Sequence, residues 1–210
     1  LGHVYGLAGT DYLRRDLSIP LFWGMPFALI VGLFGSLLTI VFSMALAASG
    51  VWFGGWVDDL IQRLTEINLV LPILAISVLA YSYLGISIWT IFAIVIFLNV
   101  FGAPLKSFRS VLLQIRESPY LEAARAYGAS GIRIISKYMV PRIIPVLVPQ
   151  LIILIPSFVF LEATLGLFNI STGLPTWGTT IYEASMNGAL YGSKYWVLAP
   201  LSFLLLSGFA

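Results

Sequence analysis

Charged residues divide this chain into long apolar runs. Between Ile19 and Val57 there is no Asp, Glu, Lys or Arg, and a second such gap runs from Ile67 to Leu105. A third, from Ile143 to Leu161, is closed by Glu162. A helix needs about 20 apolar residues to cross a bilayer, so the first two gaps each have room for more than one element. Backbone groups in lipid must find their partners within the segment, which makes runs of this length helical. The first gap predicts a short interfacial helix near Leu21 and then a span over about 26–49, with Trp52 and Trp56 in an interfacial belt. The second breaks at Tyr81-Ser82-Tyr83-Leu84-Gly85 and predicts spans over about 67–82 and 86–105. The third predicts a span over 143–166, and a fifth, 195–210, begins near Tyr195.

Three features stand out inside these runs. Gly32, Ser36, Ser43 and Ala47 fall on one helical face, where small side chains allow close helix approach, within this chain or against a partner. Glu162 is the only acid deep in an apolar context, in a span that also carries Pro149 and Pro156. A charge there is costly and points to function by default; a carboxylate lining an outer vestibule and one hydrogen-bonded to loop backbone near a helix end are both open readings. Asn99 reads as interhelical glue rather than as a ligand.

Composition agrees with the runs. Of 210 residues 60% are hydrophobic and 10% charged, against roughly a quarter charged in soluble domains. The chain has no Cys, so neither a disulfide scaffold nor a thiolate metal site is possible, and one His (His3) makes no His-based zinc site. No cofactor is expected in this chain. The first 20 residues hold Asp11, Arg14, Arg15 and Asp16 and lack the apolar core of a signal peptide. The class left is an integral membrane protein.

The net charge of +2 conceals its distribution. Residues 106–142 carry seven basic residues against Glu117 and Glu122, a local balance of +5. Lys and Arg favour cytoplasmic loops, so 106–142 is placed inside, 50–66 inside as well, and 1–20 and 167–194 outside. Within the basic segment, Ser118-Pro119 reads as a helix start, Ser as N-cap and Pro at the first helical position. Glu122 suits the positive end of that helix. Tyr120, Ala123, Ala124 and Tyr127 repeat at helical spacing as an apolar face, Gly128 ends the helix, and a second helix capped by Ser130 runs to Val140, where Pro141 stops it. Such a unit lies on an anionic leaflet, forms a solvated face, or docks to a partner; the residues alone leave the three open. Gly128-Ala129-Ser130-Gly131 has the form of a serine-nucleophile motif, but the sole His lies on the other side of the membrane in this topology, which leaves the serine without a base.

The stretch Glu122-Ala123-Ala124-Arg125-Ala126-Tyr127-Gly128-Ala129-Ser130, followed by Ile134-Ile135 and Pro141, resembles the EAA loop of bacterial and archaeal ABC importer permeases. Gly9-Thr10-Asp11 with Arg15-Asp16, Gly54-Gly55-Trp56-Val57-Asp58-Asp59, and Pro175-Thr176-Trp177-Gly178 with Glu183-Ala184 resemble, in order, segments of the dipeptide, oligopeptide and nickel branch. The chain departs from that pattern at Tyr138, where the family often has His, at Arg14, where it has Gly, and at Leu165-Gly166-Leu167-Phe168-Asn169 in place of Phe-Leu-Gly-Leu-Gly.

The resemblance implies an all-α membrane domain of the type I importer fold over residues 1–210, with a first helix before residue 1 and a last helix continuing past 210. It implies a permease for peptides or similar solutes in a bacterial or archaeal cell membrane. Glu122, Ala123, Ala124, Gly128 and Ala129 then belong to the coupling helix that docks on an ATPase, and Glu162 and Trp177 to the outer vestibule or pathway. The implied partners are two P-loop ATPase subunits carrying ATP and Mg, a second homologous permease subunit, an extracytoplasmic substrate-binding protein and the lipid bilayer, with no nucleic acid. These 210 residues contain no G-x-x-x-x-G-K-[ST] motif, so hydrolysis is assigned to separate subunits and the chain is not expected to be an enzyme. The competing class is a secondary transporter or channel working without ATP; it would favour inverted repeats and intramembrane ionisable groups, of which only Glu162 is a candidate.

Overall fold

A computed structural model describes residues 9–11, 14–85, 87–170, 173–174, 176–188 and 202. The predicted span over 195–210 and His3 lie outside the described residues, apart from Ser202. Among the described residues every regular element is helical: α1 (Ser18–Phe53), α2 (Gly55–Val70), α3 (Ile73–Leu84), α4 (Ile88–Val100), α5 (Ala103–Arg116), α6 (Pro119–Ala126), α7 (Gly131–Arg133), a π-helical turn (Ile134–Met139), α8 (Val140–Leu167) and α9 (Trp177–Met186).

Among the described residues three stretches are long and apolar enough to cross a membrane: Ser18–Phe53, Ile88–Arg116 and Lys137–Leu167. The pair α2 and α3, bent by 77° between them, passes the same test only when taken together, as a broken span or a re-entrant loop. Only 22% to 44% of each long apolar window is buried within the chain, so most of each surface is left for lipid or for other subunits.

The helix boundaries differ from the sequence expectation at several points. No separate helix forms near Leu21: α1 runs unbroken through Pro26. One proline removes one amide, which a 36-residue helix can absorb. The predicted span 67–82 is divided, because Pro72 holds Leu71 extended (φ −73°, ψ 127°) and ends α2. The predicted span 86–105 stops at Val100; after Gly102, α5 starts anew with Pro104 in its first turn. Pro141 does not stop a helix either. It lies at the second residue of α8, where the π turn before it already departs from the regular ladder.

The residues group into two compact units. The first holds Leu1–Gly35, Leu74–Phe92 and Leu154–Ala210; the second holds Ser36–Ile73 and Ala93–Ile153. The small-residue face of α1 is buried within this chain: Ser36 and Ser43 are fully covered, as is Ala47, and Gly32 lies against Val159 and the Ile155 carbonyl. The Ser43 hydroxyl donates to the Val100 carbonyl at 2.8 Å. The Asn99 side-chain amide donates to the Val95 carbonyl of its own helix at 2.9 Å.

Candidate coupling and outer sites

In the second unit, α5 leads directly into the EAA segment. Leu105, Phe108, Leu112 and Ile115 recur at helical spacing and are buried, which turns the basic residues of α5 away from the core. This helix went unrecognised in the sequence, although the four-residue apolar pattern marks it. Arg109 grips Asp58 of α2 with two parallel bonds, Nε to Oδ1 at 2.7 Å and Nη2 to Oδ2 at 2.5 Å. Arg116 donates to the Val51 carbonyl near the C-terminus of α1. Planar guanidinium forks suit both jobs, and neither pairing is visible in sequence because the partners lie 51 and 65 residues apart.

The predicted start of α6 is at Pro119, but Ser118 caps it differently than expected. Its backbone carbonyl accepts from Leu121 and Glu122, while its hydroxyl donates backward to the Ile115 carbonyl of α5. Ser130 likewise makes no side-chain cap to α7. The predicted apolar face is split. Leu121 and Ala124 are buried against the unit, whereas Glu122, Ala123 and Tyr127 face outward, Tyr127 with 92% of its surface exposed. Gly128 takes φ 76°, and the Ala129 amide donates to the Ala124 carbonyl at 3.0 Å, closing α6 with a left-handed glycine cap. Beyond it Gly131 sits beside the Trp52 ring, where an added Cβ would lie at 3.3 Å. Ala129 is half-buried and Ser130 exposed. Among the described side chains, the corner thus presents on its outer face the Glu122 carboxylate, the small Ala123 and Ala126, and the Tyr127 ring.

In the first unit Glu162 and Trp177 are both core residues, 3% and 2% exposed. The Trp177 indole donates to the Leu21 carbonyl at 3.1 Å. Glu162 lies beside the Thr176 side chain, and its Oε2 has no partner among the described residues. Thr176 also opens α9 through a reciprocal capping box with Thr179. Gly178 and Gly166 bring α9 against α8: a Cβ built on Gly178 would lie 2.1 Å from the Ala163 carbonyl oxygen. Nearer the N-terminus, Arg15 bonds both Asp11 (2.6 Å) and Glu183 of α9. The Asp11 hydrogen bond and then the Glu183 charge hold the Arg15 guanidinium protonated more firmly than usual, against some burial. These groups border a cavity of about 780 Å³ that Leu17, Leu174 and Tyr182 also line.

Among the described residues no group of three or more His, Cys, Asp or Glu side chains is placed to hold a metal ion. Ser130 has no imidazole partner among them.

A family model described as "Binding-protein-dependent transport system inner membrane component" matches residues 39–210. The chain is 26% identical over 206 residues to the dipeptide transport system permease protein of Bacillus subtilis, covering 96% of this chain and 63% of that protein. It is 30% identical over 168 residues to the dipeptide transport system permease protein of Lactococcus lactis, covering 80% of this chain and 49% of that one. It is 26% identical over 210 residues to the oligopeptide transport system permease protein of Escherichia coli, covering 99% of this chain and 68% of that one. The chain therefore spans about half to two-thirds of the length of these relatives. With a match over most of its length and long apolar helices to suit the name, the chain belongs to the family of binding-protein-dependent transport system inner membrane components.

Proposed function

We propose that this chain is the membrane-spanning permease subunit of an ATP-driven importer for peptides or similar solutes. Its ATP and Mg are held by two P-loop ATPase subunits, its channel is completed by a second permease subunit, and its solute arrives on an external binding protein. It resides in the cell membrane of a bacterium or archaeon with residues 106–142 in the cytoplasm. The relatives named as dipeptide and oligopeptide permeases support the solute class. The observation that carries the mechanism is α6: its inner face is fixed by Leu121 and Ala124 while Glu122, Ala123 and Tyr127 are left uncovered.

An eight-residue helix with a small, exposed alanine allows close approach of a partner surface. Glu122 supplies a charge for a partner cation, and Gly128 with Ala129 turns the chain back toward α8. Closure of the ATPase dimer then displaces α6, and the long helices move as rigid bodies between inward-open and outward-open states. The burial of Glu162 and Trp177 supports a role in fixing the outer end of α8 against the start of α9, in preference to lining the solute path. The test is purification of the full-length chain from its native membrane and reconstitution with its partners. A P-loop ATPase is expected to co-purify, and Glu122→Lys is expected to abolish ATP-driven uptake without preventing insertion. An active, ATP-independent assembly lacking an ATPase would refute the proposal.

A further inference from the structure

The Tyr120 ring makes two contacts whose consequence goes beyond docking. It stacks on Tyr138, with centroids 6.4 Å apart and planes at 26°, and it lies under the Arg142 guanidinium, whose Cζ is 3.9 Å from the ring centroid. Tyr138 belongs to the π turn Ile134–Met139, whereas Arg142 lies beyond Pro141 in the first turn of α8. One ring on α6 therefore touches the long helix on both sides of the place where its hydrogen-bond register changes. A π turn is a wider, less regular coil that recurs at functional sites. Here it leads into a helix with proline at 141 and 145, so the first turns of α8 lack two of the amides that would lock a regular ladder.

The Tyr120 hydroxyl adds a second clue: it is buried and has no hydrogen-bond partner among the described residues. The side chain is thus held by its ring, not by its polar end. A phenyl group would make the same stacking and cation–π contacts without burying an unpaired oxygen.

We infer that Tyr120 is the positioning residue that transmits movement of α6 into α8, with Tyr138 and Arg142 as the two points it drives. The inference rests on the permease reading above. When a partner shifts α6, the ring carries Tyr138 and Arg142 with it, and the π turn between α7 and α8 absorbs the displacement. Leu121 and Ala124 keep α6 seated in the unit; the ring sets where the start of α8 goes.

The experiment uses the complete reconstituted transporter and measures ATP hydrolysed per solute imported for wild type, Tyr120→Phe, Tyr120→Leu, Arg142→Gln and the double variant Tyr120→Leu/Arg142→Gln. Tyr120→Phe is expected to keep the wild-type ratio and an unfolding midpoint at or above wild type. Tyr120→Leu and Arg142→Gln are each expected to raise the ratio about fivefold, the scale of one lost cation–π contact, with ATPase co-purification unchanged. The double variant is expected to match the worse single variant, because both cut one link. A wild-type ratio in Arg142→Gln, or a double variant whose defects multiply, overturns the inference. So does a Tyr120→Phe variant as uncoupled as Tyr120→Leu. Should Tyr120→Leu fail to fold, Arg142→Gln, altered at an exposed position, decides alone. Failure of the wild-type chain to bind an ATPase overturns the permease reading and this inference together, whereas a coupled wild type with indifferent variants overturns only the latter.

Discussion

Replacing Gly178 with alanine is expected to destabilise the protein several times more than replacing Gly128, although Gly128 is the residue with the unusual backbone. At Gly178 the problem is room. A Cβ there would lie 2.1 Å from the Ala163 carbonyl oxygen and 2.9 Å from the Gly166 Cα, so α8 and α9 must part by about 1 Å before contact becomes tolerable. Both obstacles are backbone and cannot rotate aside. Overpacking of a tight contact costs about 1–3 kcal/mol. The same displacement stretches the 3.1 Å bond from the Trp177 indole to the Leu21 carbonyl beyond reach, and a buried unpaired donor costs about 1–3 kcal/mol more. The total is on the order of 4 kcal/mol. At Gly128 a Cβ would meet nothing within 4 Å, and the only cost is holding alanine at φ 76°, about 1–2 kcal/mol. Unfolding by SDS titration from mixed micelles, followed by circular dichroism, measures both variants in one assay. Equal losses for the two, or a loss below about 1 kcal/mol for Gly178→Ala, would refute the close α8–α9 packing at this glycine pair.

Two further substitutions follow from pairings and strain. Arg14 sits at φ 63° in exposed backbone, so Arg14→Gly is expected to raise stability by up to about 1 kcal/mol in the same titration, the relief of left-handed strain outweighing the entropy glycine adds to the unfolded chain; no gain, or a loss, would contradict it. Asp58→Asn removes a carboxylate from a partly buried, two-bond pair with Arg109 and is expected to cost about 1–3 kcal/mol, while the exchange Asp58→Arg/Arg109→Asp recovers part of that loss; an exchange no better than the single variant would show that the pair itself contributes little.

Local chemistry made the EAA corner legible. Pro119 at a helix start, a glycine nine residues later and small residues between them fix α6 and its cap within one stretch of chain, and each acts over a few bonds. Which face of α6 is buried was not legible, because Tyr120, Ala123, Ala124 and Tyr127 share a helical spacing that only packing against distant residues such as the π turn can divide. Prolines misled in both directions. Pro72 breaks a helix inside an apolar run that looked continuous, because it forces Leu71 extended, while Pro141 fails to break one, because the π register before it has already left the regular ladder. A proline announces a missing amide; only the neighbouring turns decide whether that ends a helix.

The departures from the family pattern show the same division between local and distant causes. Arg14, where the resemblance implies glycine, takes a backbone that glycine adopts freely, φ 63°. Asn169, in the stretch that differs after Glu162, takes φ 61° and ends α8, with the Ile170 amide donating to the Leu165 carbonyl at 3.0 Å. Asparagine tolerates that conformation and arginine does so only at a cost, so Asn169 is neutral in backbone terms and Arg14 is strained. The strain at Arg14 persists beside a distant gain. The next residue, Arg15, bonds Asp11 four positions before it and Glu183 far along the chain. The turn that sets Arg15 between them includes the Arg14 amide bond to the Asp11 carbonyl at 3.1 Å. A left-handed residue is what lets the backbone double back within five residues and present Arg15 to both carboxylates. The glycine that the resemblance implies at this position hints at the conformation, but not at the reason for it, because Glu183 lies 168 residues from Arg15.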